Sequence, residues 1–145
     1  MVDTIYFEES IKDHPRTREI FSRFKAARKI SIQRYGEVFN KRDQSFKLQK
    51  RNPALILAKK HKGFVLPVPD GFGIGHSTNF YFSHMYNCIY DCRYCFLQGM
   101  YSSANYVLFV NYEDFLKQIE VTINAHKEHE VAFFSGYDCD SLALE

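Results

Sequence analysis

Residues 81–99 read YFSHMYNCIYDCRYCFLQG, and three of the chain's four cysteines, Cys88, Cys92 and Cys95, fall inside this stretch. The spacing is C-x3-C-x2-C. The opening residues, MVDTIYFEES, have neither a basic lead nor an apolar run of the kind a secretory signal carries. Cysteines clustered in such a chain argue for a metal centre rather than a disulfide framework. Three thiolates on one tight loop can reach three corners of a single iron–sulfur cube and leave the fourth iron open for an outside ligand. A structural zinc ion is the alternative, with Cys139 or His84 as its fourth ligand. Zinc sites more often use two C-x2-C pairs, and no second pair follows here.

Working outward, Asn79–Ser83 reads as a strand leading directly into the cysteine loop, and Tyr106–Val110 as a second strand. Asn111 and Asp114 can open a helix in a capping-box-like arrangement, with Leu116, Ile119 and Ile123 as its apolar stripe. Glu130–Phe134 reads as a further strand. Strand, helix and strand at this spacing form a βαβ pattern and imply a parallel sheet. Two or three such strands cannot close a barrel and leave a sheet edge and face exposed, so the expectation is a fragment whose remaining strands are missing.

Upstream, Pro67, Pro69, Asp70 and Gly71 mark a break, and Gly71, Gly73 and Gly75 form a connector rather than a phosphate cradle. Pro15 suits a first helical turn with Asp13 as its cap, and Ile20, Phe24 and Ala27 continue a helical stripe. Ile30 and Ile32 suit a short strand, as do the apolar runs Ala54–Ala58 and Phe64–Val68. Residues 36–53 read mostly as loop. The chain therefore divides into a basic N-terminal region, 1–75, and a second region, 76–145, that carries the cysteine loop.

The chain has 145 residues, 46% hydrophobic and 25% charged, a balance that excludes a disordered tail. No window approaches 18 consecutive apolar residues, so no membrane span is expected and a cytoplasmic setting is. The net charge of +2 hides an asymmetry: residues 1–62 hold 16 Lys or Arg against 7 Asp or Glu, and residues 63–145 hold 3 against 10. The halves carry +9 and −7. A basic half of this kind suggests contact with a polyanion, DNA or another nucleic acid, through residues 1–62. The plainer alternative is a solvated basic face. Fourteen Phe and ten Tyr without Trp mostly supply core.

With an aromatic residue before its last cysteine, C-x3-C-x2-C is similar to the signature of the radical S-adenosylmethionine (SAM) enzymes. YFSHMYNCIYDCRYCFLQG (81–99), followed by VLFVNYEDF (107–115), resembles the spore photoproduct lyase family within that group. The N-terminal IYFEES and ALILAKK resemble it as well. The resemblance implies an α/β fold: the N-terminal part of a partial (β/α) radical SAM barrel, preceded by a small basic α+β region.

By that resemblance, Cys88, Cys92 and Cys95 would bind a [4Fe-4S] cluster whose open iron holds SAM. Reductive cleavage would yield a 5′-deoxyadenosyl radical that takes a hydrogen atom from substrate, with a flavodoxin or ferredoxin as electron donor. Tyr94 would flank the adenine. Ser135 and Gly136 would contact the methionine end of SAM, with Asp140 and Ser141 on the same loop.

Two positions depart from the family pattern. Its repair enzymes carry a tyrosine directly after the last cluster cysteine, where this chain has Phe96, which has no O–H to relay a hydrogen atom. They also carry a hydrogen-donor cysteine after the second barrel strand; Cys139 falls about two positions beyond that place and would be the catalytic hydrogen donor if the loop is locally shifted, an ordinary buried thiol being the alternative. Both departures bear on the substrate, which is DNA in the family's repair enzymes. A peptide or small molecule is the alternative substrate, and a non-enzymatic zinc-binding nucleic-acid module the alternative function.

Overall fold

A computed structural model describes residues 2–76, 78–90 and 92–142. Its strands are β1 (Thr4–Glu8), β2 (Arg28–Ile32), β3 (Leu55–Ala58), β4 (Leu66–Pro67), β5 (Thr78–Phe82), β6 (Met85–Tyr86), β7 (Tyr106–Phe109) and β8 (Val131–Ser135). The helices are α1 (Pro15–Arg23), α2 (Gly36–Phe39), α3 (Phe46–Gln49) and α4 (Tyr112–Ala125).

Strands β3 and β7 read LILA and YVLF and are buried at every residue. A strand apolar on both faces belongs at the centre of a parallel sheet covered on both sides. The two pair with each other in parallel, in a five-stranded sheet ordered β2-β1-β3-β7-β6. Leu55, Leu57, Tyr106 and Leu108 point to one face, where Ile20, Phe21 and Phe24 pack from α1 and the turn after it. Ile56, Ala58, Val107 and Phe109 point to the other, beneath Phe39 of α2 and Phe115 of α4.

A second sheet, ordered β4-β5-β8, holds the strand that leads into the cysteine loop. The expected βαβ pairing of β7 with β8 does not form. β8 lies parallel to β5, with Phe82 opposite Ser135, rather than beside β7. The unit is therefore β5, cysteine loop, α4 and β8, and β6 and β7 leave it to join the N-terminal sheet. Segments on both sides of residue 75 build that sheet, because β7 is apolar on both faces and only β3 offers it an equally apolar neighbour.

Local expectations shift for equally physical reasons. Asp13 does not cap α1; His14 does, its Nδ1 accepting from Arg16 N at 3.3 Å, while Asp13 pairs with Arg18 at 2.6 Å. The helix ends at Arg23, so Ala27 lies beyond it, buried at the entry to β2. Residues 36–53 contain the short helices α2 and α3 rather than mostly loop, and of 64–68 only Leu66–Pro67 is strand.

The capping box of α4 does not close on its backbone. Asn111 Nδ2 donates to Asp114 Oδ2 at 2.6 Å, and the Asn111 amide exchanges two hydrogen bonds with the backbone of Lys60. The predicted stripe is also rotated. Leu116 and Ile123 are exposed, and the buried face carries Phe115 and Thr122.

Candidate functional site

Strand β5 delivers the chain into the cysteine loop. Ahead of the first cysteine, Asn87 sits at φ +62, a left-handed conformation Asn tolerates better than most residues. Its Nδ2 donates to the carbonyls of Ser103 and Asn105 at 2.7 and 2.8 Å, tying the loop's entrance to its exit. All four cysteines are free; Cys88 is buried, and Cys92 and Cys95 are half-buried. Tyr90 N donates to Cys88 Sγ at 3.4 Å, which fixes the orientation of that sulfur. Cys95 N to Cys92 O, at 3.0 Å, closes a turn that carries both remaining thiols.

Among the described residues, no three His, Cys, Asp or Glu side chains gather as one metal ion requires. Four ligands around a single zinc at about 2.3 Å each crowd onto one point. Neither the zinc arrangement with Cys139 or His84 nor the three cysteines of the loop alone are gathered as a metal-holding group among the described residues. An iron–sulfur cube asks less convergence, since each thiolate binds its own corner. The three free thiols share one loop, and one of them already accepts a backbone N–H.

Tyr94 is 93% exposed, which removes the reading of it as a core aromatic and leaves its ring open to a ligand. Phe96 is exposed as well, and its ring stands 6.0 Å from that of Tyr137. Tyr137 in turn lies 4.8 Å from Tyr81 of β5, so the cysteine loop and the loop after β8 meet through these rings.

Ser135 and Ser141 are brought together, Oγ to Oγ at 3.0 Å. Gly136 turns the chain between them at φ +77. A Cβ there would stand 2.7 Å from Cys139 O and 2.9 Å from Ser141 N, so only glycine fits. The Asp140 carboxylate is spent locally, accepting from Leu142 N at 2.9 Å. Ser135 and Ser141 also line a groove of about 670 Å³ between α1 and α4, which none of the three loop cysteines touches.

Cys139 is buried and packs in the core with Met85. Burial first, then the charges of Asp138 and Cys88, push its thiol up to about 12, so it keeps its proton at neutral pH. This is the protonation state an S–H hydrogen donor needs.

A buried polar cluster that the sequence reading missed lies beside it. The Tyr101 hydroxyl donates to Asp138 Oδ1 at 2.8 Å, and Asp138 N is paired with Ser83 Oγ at 3.1 Å. The Lys60 ammonium lies over the rings of Tyr86, Phe109 and Phe115 at 4.8–5.7 Å and donates to Ser83 O at 3.3 Å. Desolvation holds its pKa below the usual lysine value, against the pull of Asp138. Burial raises both Tyr86 and Tyr101 well above the usual phenol range. Their partners stand up to 55 residues away in sequence, so no local motif announces them.

No family model matches the sequence, and no curated protein matches it. Solved structures do. A spore photoproduct lyase double mutant with bound AdoMet and dinucleoside spore photoproduct aligns with 99% of this chain at TM-score 0.77 and 17% identity. A tyrosine-to-phenylalanine mutant of that enzyme aligns at 0.74 and 18%, and the enzyme complexed with dinucleoside spore photoproduct at 0.73 and 17%. In each case the match covers 42% of the other chain. The chain thus shares, over nearly its whole length, the α/β fold of spore photoproduct lyase, a radical SAM enzyme, and spans less than half of that enzyme's length.

Proposed function

We propose that this chain belongs to a radical SAM enzyme of the lyase type, acting on damaged DNA. One observation carries the reading: three free thiols occupy the loop that follows β5 and the short β6, and a glycine-only turn occupies the end of β8, the parallel neighbour of β5. Ligands in such folds sit at the C-terminal ends of parallel strands; the Gly136 turn lies at that end of β8, and the cysteine loop meets it through Phe96 and Tyr137.

Cys88, Cys92 and Cys95 would hold a [4Fe-4S] cluster, leaving one iron for the amino and carboxylate groups of SAM. When bound, this pair supplies a 5′-deoxyadenosyl radical through one-electron cleavage of SAM. The protein's part is placement. The Tyr90 N–H steadies Cys88, the Asn87 amide pins both ends of the loop, and exposed Tyr94 offers its face to the adenine. Ser135 and Gly136, with Asp140 and Ser141 behind them, shape the turn that would receive the methionine end. Cys139, its S–H buried in the core with Met85, would serve as the hydrogen donor. The bound dinucleoside lesion belongs to the neighbours; its counterpart here is the proposed substrate. A flavodoxin or ferredoxin would supply the electron, and the cytoplasm is the proposed setting. Among the described residues no helix is long and apolar enough to cross a membrane.

The test is anaerobic incubation of the reconstituted chain with SAM, dithionite and spore-photoproduct DNA. The account expects 5′-deoxyadenosine and restored thymine from the chain, and neither from Cys92→Ala. Deoxyadenosine without repair would move the substrate to a peptide or small molecule and leave the radical chemistry standing. Neither product would overturn the proposal.

A further inference from the structure

The cations of residues 1–62 are not equivalent. Those of α1 and its flanks are largely neutralised: Lys12 with Glu9, Arg16 with Glu113, Arg18 with Asp13 and Arg23 with Glu19. Residues 41–51, KRDQSFKLQKR, hold five cations against one carboxylate. Lys41, Arg42, Lys47 and Arg51 are exposed and, among the described residues, form no ion pair. Leu48 stands 63% exposed among them, so the surface offers apolar contact beside its charge.

This segment is framed rather than loose. Gln44 Nε2 donates to the carbonyls of Phe39 and Lys41 at 2.9 and 2.6 Å, and Gln49 Nε2 donates to Gln44 Oε1 at 2.6 Å. The frame is fastened to the exit of the cysteine loop. Gln49 Oε1 accepts from Ala104 N at 2.9 Å and Ser103 Oγ at 3.2 Å, and the Phe39 ring lies 5.1 Å from that of Tyr101. Ser103 also accepts, through its carbonyl, from the Asn87 amide next to Cys88. The unpaired charge is thus displayed on a braced platform two side chains away from the first cysteine.

We propose that residues 41–51 form the nucleic-acid docking surface of this protein, with Lys41, Arg42, Lys47 and Arg51 contacting phosphates. This deepens the reading of a DNA substrate and rests on it. A phosphate backbone fits because it presents repeated negative charge to several cations at once, and the counterions it releases make binding salt-dependent. The paired cations of α1 have already spent their charge on carboxylates and contribute little.

The experiment measures anisotropy of a fluorescent duplex of about 20 base pairs with the reconstituted chain over a salt series. It compares Lys41→Ala/Arg42→Ala/Lys47→Ala/Arg51→Ala with Lys12→Ala/Arg16→Ala/Arg18→Ala/Arg23→Ala, which removes the same charge from the four paired cations of α1 and its flank. The platform variant should bind about tenfold or more weakly, with a log–log salt slope shallower by about three to four. The α1 variant should stay within about threefold of the unmodified chain. Equal losses in both variants, or no loss in the platform variant, overturn the proposal, as does equal displacement of DNA by polyglutamate. Circular dichroism melts confirm that both variants fold. Deoxyadenosine formation without DNA is read alongside. If it fails while platform-dependent binding persists, the radical chemistry falls and the docking surface stands.

Discussion

Gly136 has the least freedom of any residue in the site. At φ +77, with backbone atoms of Cys139 and Ser141 inside 3 Å of where a Cβ would stand, a side chain has no room unless the turn opens. Gly136→Ala should therefore cost about 1–3 kcal/mol of stability, read by urea denaturation. Ser135→Ala, which removes one exposed hydroxyl, should change it by less than about 0.5 kcal/mol. An unaffected Gly136→Ala protein would contradict the turn geometry. At this scale the sequence was informative where chemistry is local. Three cysteines within eight residues announce themselves, and Ser135 and Gly136 could be placed by counting from a strand end. Lys60, Tyr101 and Asp138 were invisible because each acquires its environment from segments distant along the chain.

Helix α4 shows what periodicity leaves open. Its sequence, YEDFLKQIEVTINA, carries two apolar tracks about 100° apart, one through Phe115 and one through Leu116 and Ile123. Either satisfies a helical repeat, and the neighbouring rings decide. Phe115 turns inward against Phe64 and Phe82, at 5.1 and 6.3 Å, and Leu116 is left 62% exposed. Phe115→Ala should destabilise the chain by about 3–5 kcal/mol, and Leu116→Ala by less than about 0.5 kcal/mol. Thermal melts of the two variants check this, and a larger loss from Leu116→Ala would mean that α4 is rotated. Strand identities were legible from apolar runs, as β3, β5 and β7 show. Strand partners were not, because β7 and β8 follow one another closely in sequence yet sit in different sheets.

Across the whole molecule, charge and fold divide the work. The five-stranded sheet draws strands from both halves and so couples the basic N-terminal region to the loop that carries the thiols. The second sheet aligns β5 and β8, and the cysteine loop meets the Gly136 turn through Phe96 and Tyr137. The sequence disclosed the net asymmetry of +9 and −7, but not which cations are already paired, since ion pairs such as Arg16–Glu113 join residues 97 apart. The proposed function depends on the three thiols holding an iron–sulfur cluster. The most direct measurement is the iron, acid-labile sulfide and zinc content of the chain reconstituted without oxygen. The account predicts about four iron and four sulfide per chain, lost together in Cys92→Ala. About one zinc per chain with no sulfide would contradict it.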